Sequence, residues 1–191
     1  MPLSGKHSNW LEIDRAAIAG NVRVLRQRTG VEIMAVVKAN GYGHGIVPAA
    51  RAALRGGATW CGVARVEEAL ELRKAGVDSP ILVLGATAAG RLQEAIGERI
   101  SMAVWDLRQV EAAAAAASGT NEGARLHLKV DTGMSRLGIA PERAVELADR
   151  IHSTAGVVFE GVFTHFARAD EADPTPTESQ ERLFGEVLSG L

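Results

Sequence analysis

The segment IMAVVKANGYGHGIVPAARAALR, residues 33–55, is the part of the sequence that decides the fold. The apolar run at 33–37 has the length and composition of a strand. Apolar residues over 46–55 follow helical spacing, with Pro48 in the first turn. Lys38 and a loop with three glycines separate the two. This segment therefore predicts a strand, a loop and a helix, with a lysine leaving the end of the strand.

The same alternation continues along the chain. Apolar runs that predict strands lie near residues 31–37, 58–64, 80–84, 99–104, 124–130 and 157–164. Helices are predicted at 46–55, 65–75, 87–96, 106–118, 141–153 and 177–189. Strands that alternate with helices indicate an α/β fold with a parallel sheet. No G-x-G-x-x-G turn follows the first strand, which favours a (β/α)8 TIM-type barrel over an open dinucleotide-binding sheet.

The predicted strands are too few to close such a barrel. About six of the eight βα units are found in residues 1–191, so we expect an incomplete barrel with unpaired strand edges. A self-sufficient open sheet is the alternative. A brief additional strand is predicted at Trp10–Ile13, and Asp14 is predicted to cap the helix that follows it.

Composition narrows the range of partners. The net charge is −2 and the pI is about 6.2, with no long basic block, so neither nucleic acid nor an anionic membrane is an expected partner. The single cysteine, Cys61, allows no internal disulfide and is expected to be a buried, inert thiol. The first ten residues are polar, which makes the cytoplasm the expected location. Since His7, His127 and His152 lack metal-ligand spacing, no metal site is predicted.

Lys38 carries the clearest chemical signal. An amine at the end of a buried strand is partly desolvated, which disfavours the ammonium form and leaves a nucleophile for an aldehyde. Glycines at 41, 43 and 45 permit positive φ angles and the close approach of a planar ligand. His44 is expected to fix this loop through a hydrogen bond. A strand-end lysine followed by an ordinary glycine turn is the alternative interpretation.

Two later segments also place polar residues after strands. In HLKVDTGMSRLG, residues 127–138, Arg136 presents a fixed fork of donors that suits a phenolic oxygen or a carboxylate. Pairing of Arg136 with Asp131 in a structural turn is the alternative. In EGVFTHFARAD, residues 160–170, His165 lies at a strand end, where a purely structural role is the alternative. Lys38, Arg136 and His165 all fall where barrel enzymes carry their active sites.

Together with residues 35–45, these two segments resemble the alanine racemases, a family that uses pyridoxal 5'-phosphate. The resemblance implies that residues 1–191 are the amino-terminal cofactor-binding barrel domain, incomplete and without the family's carboxy-terminal β domain. It also implies an isomerase that interconverts L-alanine and D-alanine and supplies D-alanine for peptidoglycan, as a cytoplasmic homodimer when full length. Because the similarity covers only about half of the family pattern, we expect this chain alone to be inactive.

The resemblance also implies roles for individual residues. Lys38 would bind the cofactor as a Schiff base and serve as one catalytic base. Tyr42 would contact the cofactor phosphate, and Arg136 its phenolic oxygen. His165 would support catalysis by orienting a tyrosine from the partner subunit. Lys129, seven residues before Arg136, matches a lysine that is often carbamylated in the family.

Three alternative functions remain open. The first is a racemase for serine or for several amino acids. The second is a non-catalytic pyridoxal phosphate-binding protein, whose relatives lack the N-G-Y-G-H-G run. The third is a structural remnant that binds no cofactor. Since Tyr42 is the only tyrosine and is assigned to phosphate binding, the second catalytic base is expected outside this chain.

Overall fold

The computed structural model describes residues 10–191, so the polar lead that includes His7 lies outside the described residues. The strands are β1 Met34–Val36, β2 Trp60–Val63, β3 Ile81–Val83, β4 Ser101–Val104, β5 Ala124–Lys129 and β6 Val157–Phe163. The longer helices are α1 Arg15–Thr29, α2 Ile46–Arg55, α3 Val66–Lys74, α4 Leu92–Gly97, α5 Leu107–Ala117, α6 Ala144–Ser153 and α7 Thr175–Gly190. Single 3-10 turns, Ala89–Arg91 and Pro141–Arg143, precede α4 and α6. None of the helices in residues 10–191 has the length and apolar character that a membrane span needs.

The strands form one parallel sheet in the order β1-β2-β3-β4-β5-β6, which confirms the predicted six βα units. Within the described residues, β1 and β6 are the two edges and do not pair with each other, so the sheet curves like a barrel without closing. The prediction of a buried strand before Lys38 is wrong in one respect. Val36 in β1 is 40% exposed, because an edge strand has a neighbour on one side only.

The main core lies between the sheet and the helices. Outward-facing side chains of the central strands, such as Val63, Ile81 and Leu126, are completely buried there. Each side chain of this size stabilises the fold by about 1.5–3 kcal/mol when it leaves water. Cys61 is buried in the same layer, as predicted, and burial raises the pKa of its thiol. This layer holds the strand ends at fixed positions relative to one another.

Helix caps follow the sequence closely. The Asp14 carboxylate accepts hydrogen bonds from the N–H groups of Ala16 at 2.8 Å and Ala17 at 3.0 Å, which confirms it as the cap of α1. Asp106 caps α5 through Arg108 N at 2.8 Å. The brief strand predicted at Trp10–Ile13 is wrong. These residues are irregular and pair with no strand of the sheet, and a strand needs a partner for its backbone hydrogen bonds.

Candidate active site

The chain after β1 forms a short left-handed turn, Lys38–Tyr42, instead of an ordinary loop. Gly41, Gly43 and Gly45 have φ angles of 62°, 88° and 82°, as the glycine pattern predicts. Lys38 begins this turn and is half-buried. Its Nζ lies 5.9 Å from the centre of the Tyr42 ring, and Tyr42 itself is 60% exposed. The turn thus presents an amine and a phenol together at the carboxyl end of β1.

Hydrogen bonds within the loop hold this turn closed. The Nδ1 atom of His44 lies 2.8 Å from the carbonyl oxygen of Gly41, which is the structural contact predicted for His44. The side-chain oxygen of Asn40 accepts a hydrogen bond from Ile46 N at 3.0 Å. This second bond ties the turn to the first residue of α2, whose N–H has no partner within the helix.

The loop after β5 positions Arg136. Asp131 Oδ1 accepts hydrogen bonds from Gly133 N at 3.0 Å and Ser135 N at 2.9 Å. Asp131 therefore shapes the turn through backbone groups. Among residues 10–191, none of the ion pairs joins Asp131 to Arg136, so the alternative interpretation of this motif is wrong. Arg136 is exposed at the same edge of the sheet as Lys38.

Lys129, the last residue of β5, is a buried cation. Only 5% of the residue is exposed, and its Nζ lies 4.8 Å from the centre of the Phe163 ring. Burial lowers the pKa of Lys129, and the charges of Arg136 and Lys38 lower it further, while Asp131 acts in the opposite direction. At a given pH, a larger fraction of Lys129 is therefore in the neutral amine form than of an ordinary lysine.

His165 follows β6 and completes a cluster of basic groups. Partial burial lowers the pKa of its imidazole, although the residue as a whole is exposed. The charges of Lys129, Arg136 and Lys38 lower this pKa further. The predicted residues Lys38, Lys129, Arg136 and His165 therefore lie at one edge of the sheet, at or after the carboxyl ends of β1, β5 and β6. We call these four residues the basic cluster.

Gln180, which the sequence patterns do not single out, connects the two loops that carry this cluster. This buried residue of α7 donates from Nε2 to Thr132 Oγ1 at 3.2 Å and to the His165 carbonyl at 3.3 Å. Its Oε1 accepts from Ala167 N at 2.9 Å. Gln180 shares the inward face of α7 with Val187, seven residues later. A lone amide at an apolar helical position was the signal that could have found it.

A second polar group lies deeper on the concave face of the sheet. The Glu160 carboxylate accepts hydrogen bonds from Arg125 and His127, each at 3.0 Å, and from the hydroxyl of Ser101. The His127 ring also meets Trp60 of β2, at a centroid distance of 5.6 Å. Because β2 and β5 are not adjacent, this contact crosses the concave side. Within residues 10–191, no cluster of three or more His, Cys, Asp or Glu side chains could hold a metal ion.

Comparison with known proteins agrees with this geometry. The family described as "Alanine racemase, N-terminal domain" matches residues 13–191. The chain belongs to the alanine racemase family. It is 45% identical over 185 residues to alanine racemase 2 of Oceanobacillus iheyensis, a match that covers 95% of this chain and 47% of that protein. The parallel six-stranded sheet is thus the amino-terminal fold of this family.

Solved structures give the same result. A crystal structure of alanine racemase from E. faecalis has a TM-score of 0.89 and 43% identity, over 94% of this chain and 49% of that one. Histidine racemase from Leuconostoc mesenteroides subsp. sake has a TM-score of 0.84 and 33% identity, over 89% of this chain and 46% of that one. The chain spans about half the length of the alanine racemases that it matches.

Proposed function

We propose that this chain is the cofactor-binding part of a pyridoxal 5'-phosphate-dependent alanine racemase. The observation that carries the proposal is the basic cluster at the carboxyl ends of β1, β5 and β6. It gathers two amines and a guanidinium, none of which forms an ion pair in the part of the chain that is described, beside the imidazole of His165. Such a site suits a planar ligand with an anionic phosphate and a phenolic oxygen.

The residues present fit this cofactor. Lys38, which is half-buried and begins the glycine-rich turn, would hold it through Nζ. Tyr42, exposed beside Lys38, would donate its phenolic hydrogen to the phosphate, and Arg136 would contact the phenolic oxygen of the cofactor. When bound, the cofactor withdraws electrons from the α-carbon of an amino acid and so acidifies its α-proton. Lys38 would accept or return that proton on one face.

Proton transfer on the opposite face needs a second group. His165 lies in the basic cluster, and its lowered pKa favours the neutral ring, which can accept or donate a hydrogen bond to orient that group. The only tyrosine, Tyr42, is engaged at the first face, so we propose that the second base comes from the partner subunit of a full-length homodimer. On this proposal the chain alone does not racemise alanine, and the complete enzyme supplies D-alanine for peptidoglycan in the cytoplasm.

Lys129 is proposed to be carbamylated. Its neutral amine would add to carbon dioxide and release a proton, which replaces a buried cation with a carbamate anion. The carbamate would pair with Arg136 and hold its guanidinium toward the cofactor. Intact mass under native, bicarbonate-containing conditions should show the added mass of one carbon dioxide. Loss of this mass in Lys129→Met would assign the modification, and a bare amine in the unaltered chain would refute it.

Cofactor binding is tested by the visible spectrum of the chain with added pyridoxal phosphate. We expect a yellow adduct that borohydride reduces, and a peptide map that places the reduced group on Lys38. Lys38→Ala should abolish the adduct, whereas the exposed Lys74→Ala should retain it. An adduct that forms equally in both variants would contradict the proposed function.

A substrate other than alanine is the second candidate. The similarity to a histidine racemase shows that this fold accommodates another amino acid in a relative, and serine or several amino acids are further candidates. The full-length enzyme assayed with alanine, serine and histidine would separate these functions. A pyridoxal phosphate adduct without turnover of any amino acid would indicate a non-catalytic binding protein.

A further inference from the structure

The left-handed turn after Lys38 is energetically unfavourable by itself. Ala39, Asn40 and Tyr42 have φ angles of 51°, 55° and 53°, although none of them is glycine. Left-handed backbone costs an alanine or tyrosine of the order of 1–2 kcal/mol, and an asparagine less. Such a turn persists only where surrounding contacts fix it. The contacts from His44 and Asn40 are local, so they move with the loop.

Glu68, in the first turn of α3, provides a contact from outside the loop. Its Oε1 accepts a hydrogen bond from Ala39 N at 2.6 Å. Its Oε2 accepts from Ala64 N at 2.7 Å and from Arg65 N at 3.2 Å, and so caps the start of α3. The residue is only 9% exposed. One carboxylate therefore joins the rigid end of β2 and the start of α3 to the peptide bond that follows Lys38.

The position of this contact bears directly on Lys38. The N–H of Ala39 belongs to the peptide group that also contains the carbonyl of Lys38, so its orientation fixes the ψ angle of Lys38. On the other side, Val37 N donates to the Gly62 carbonyl of β2 at 2.8 Å. Lys38 is thus held on both sides by elements that are themselves buried. The direction of its side chain depends on both contacts.

We propose that Glu68 is a positioning residue for Lys38, which it holds in the orientation that the cofactor aldehyde requires. This inference rests on the proposed role of Lys38 in cofactor attachment. Glu68→Gln keeps the shape of the side chain but has only one acceptor oxygen, so it cannot accept hydrogen bonds from both Ala39 and the start of α3. Its NH2 group would instead face a backbone N–H, and two donors cannot form a hydrogen bond. Because reactive groups displaced by an ångström lose up to about a hundredfold in rate, we expect at least about tenfold slower adduct formation.

Two control variants separate positioning from general stability. Asp106→Ala removes the cap of α5, the helix after β4, which is three strands from β1 in the sheet. It should lower the midpoint of thermal unfolding without slowing adduct formation. Glu67→Gln changes a neighbouring carboxylate in α3 whose side chain is 60% exposed, and should change neither property. If Glu68→Gln does not fold, Glu68→Asp replaces it, since the shorter side chain can keep the cap but not the reach to Ala39.

The test measures two quantities on the 191-residue chain. The first is the rate of the borohydride-reducible adduct, and the second is hydrogen exchange of the Ala39 amide without cofactor. Slower adduct formation and faster Ala39 exchange, relative to Asp106→Ala, would support the proposal. Unchanged exchange, or an unchanged rate, would overturn it. If the unaltered chain forms no adduct, both the proposed function and the role of Glu68 in cofactor attachment are refuted. In that case, hydrogen exchange of the Ala39 amide still shows whether Glu68 holds the turn.

Discussion

Replacing Glu160 with glutamine should destabilise the chain at neutral pH by about 2–3 kcal/mol. Glu160 is the acceptor for three donors on the concave face: Arg125, His127 and Ser101. Glutamine has one acceptor oxygen in place of two and carries no charge. Arg125 would therefore lose its ionic partner and His127 a charged hydrogen-bond acceptor, in a region that is partly shielded from water.

The magnitude follows from the pKa of Glu160. Burial raises this pKa, but hydrogen bonds from His127, Ser101 and Arg125 more than offset burial and bring it from 4.5 to about 2. A difference of about 2.5 pKa units corresponds to about 3.4 kcal/mol, and partial solvent screening reduces this to about 2–3 kcal/mol. The folded-state pKa is depressed, so this stabilisation is complete above pH 4.5 and is lost as the pH falls through about 2.

Urea unfolding at pH 7 and at pH 3.5 would measure this effect. The difference in unfolding free energy between the unaltered chain and Glu160→Gln should shrink by about 1 kcal/mol at the lower pH. Glu186→Gln is the control, because its ion pair with Arg182 is exposed on α7 and should contribute about 0.5 kcal/mol or less. A Glu160 variant that loses no more than this control at pH 7, or loses the same amount at both values of pH, would refute the reasoning.

Other substitutions have equally definite expectations. Gly56→Ala should destabilise the fold by about 1–3 kcal/mol in urea unfolding, because its Cβ would lie 2.5 Å from the carbonyl oxygen of Ala19 in α1. Gly97→Ala has open space around it and should be neutral or stabilising by up to about 1 kcal/mol. Cys61 should react slowly with iodoacetamide in the folded chain and rapidly in urea, since burial both hides the thiol and raises its pKa.

The fold was predictable because each βα unit repeats one simple pattern. An apolar run of strand length followed by helical spacing is a local signal, and it located β2 to β6 and their helices within a few residues. The strand predicted at Trp10–Ile13 failed for a non-local reason. Its apolar residues suit a strand, but whether a neighbouring edge is free to pair with them depends on the whole sheet.

The site was predictable only in part. Lys38, Arg136 and His165 could be placed at one edge because parallel strands bring their carboxyl ends together. The residues that hold them in place, Glu68 and Gln180, could not, since each acts on a loop that is distant in sequence. The glycines suggested the left-handed turn, yet non-glycine residues also adopt it. Their conformation depends on contacts from outside the turn, which the local sequence does not reveal.

The concave face of β5 shows why the basic cluster should bind an anion. Arg125, His127 and Lys129 alternate along this strand and face the same side. At the amino end of the strand, Glu160 forms an ion pair with Arg125 and accepts a hydrogen bond from His127. At the carboxyl end, no ion pair in residues 10–191 joins Lys129 to a carboxylate. The charge of Asp131 only partly offsets the lowering of the Lys129 pKa by burial. Positive charge is therefore balanced deep in the sheet and unbalanced at the edge that carries Lys38. A bound phosphate or a carbamate on Lys129 would each supply the missing negative charge. If either is present, the pKa of His165 should rise toward its ordinary value. An NMR titration of the His165 ring would measure this shift.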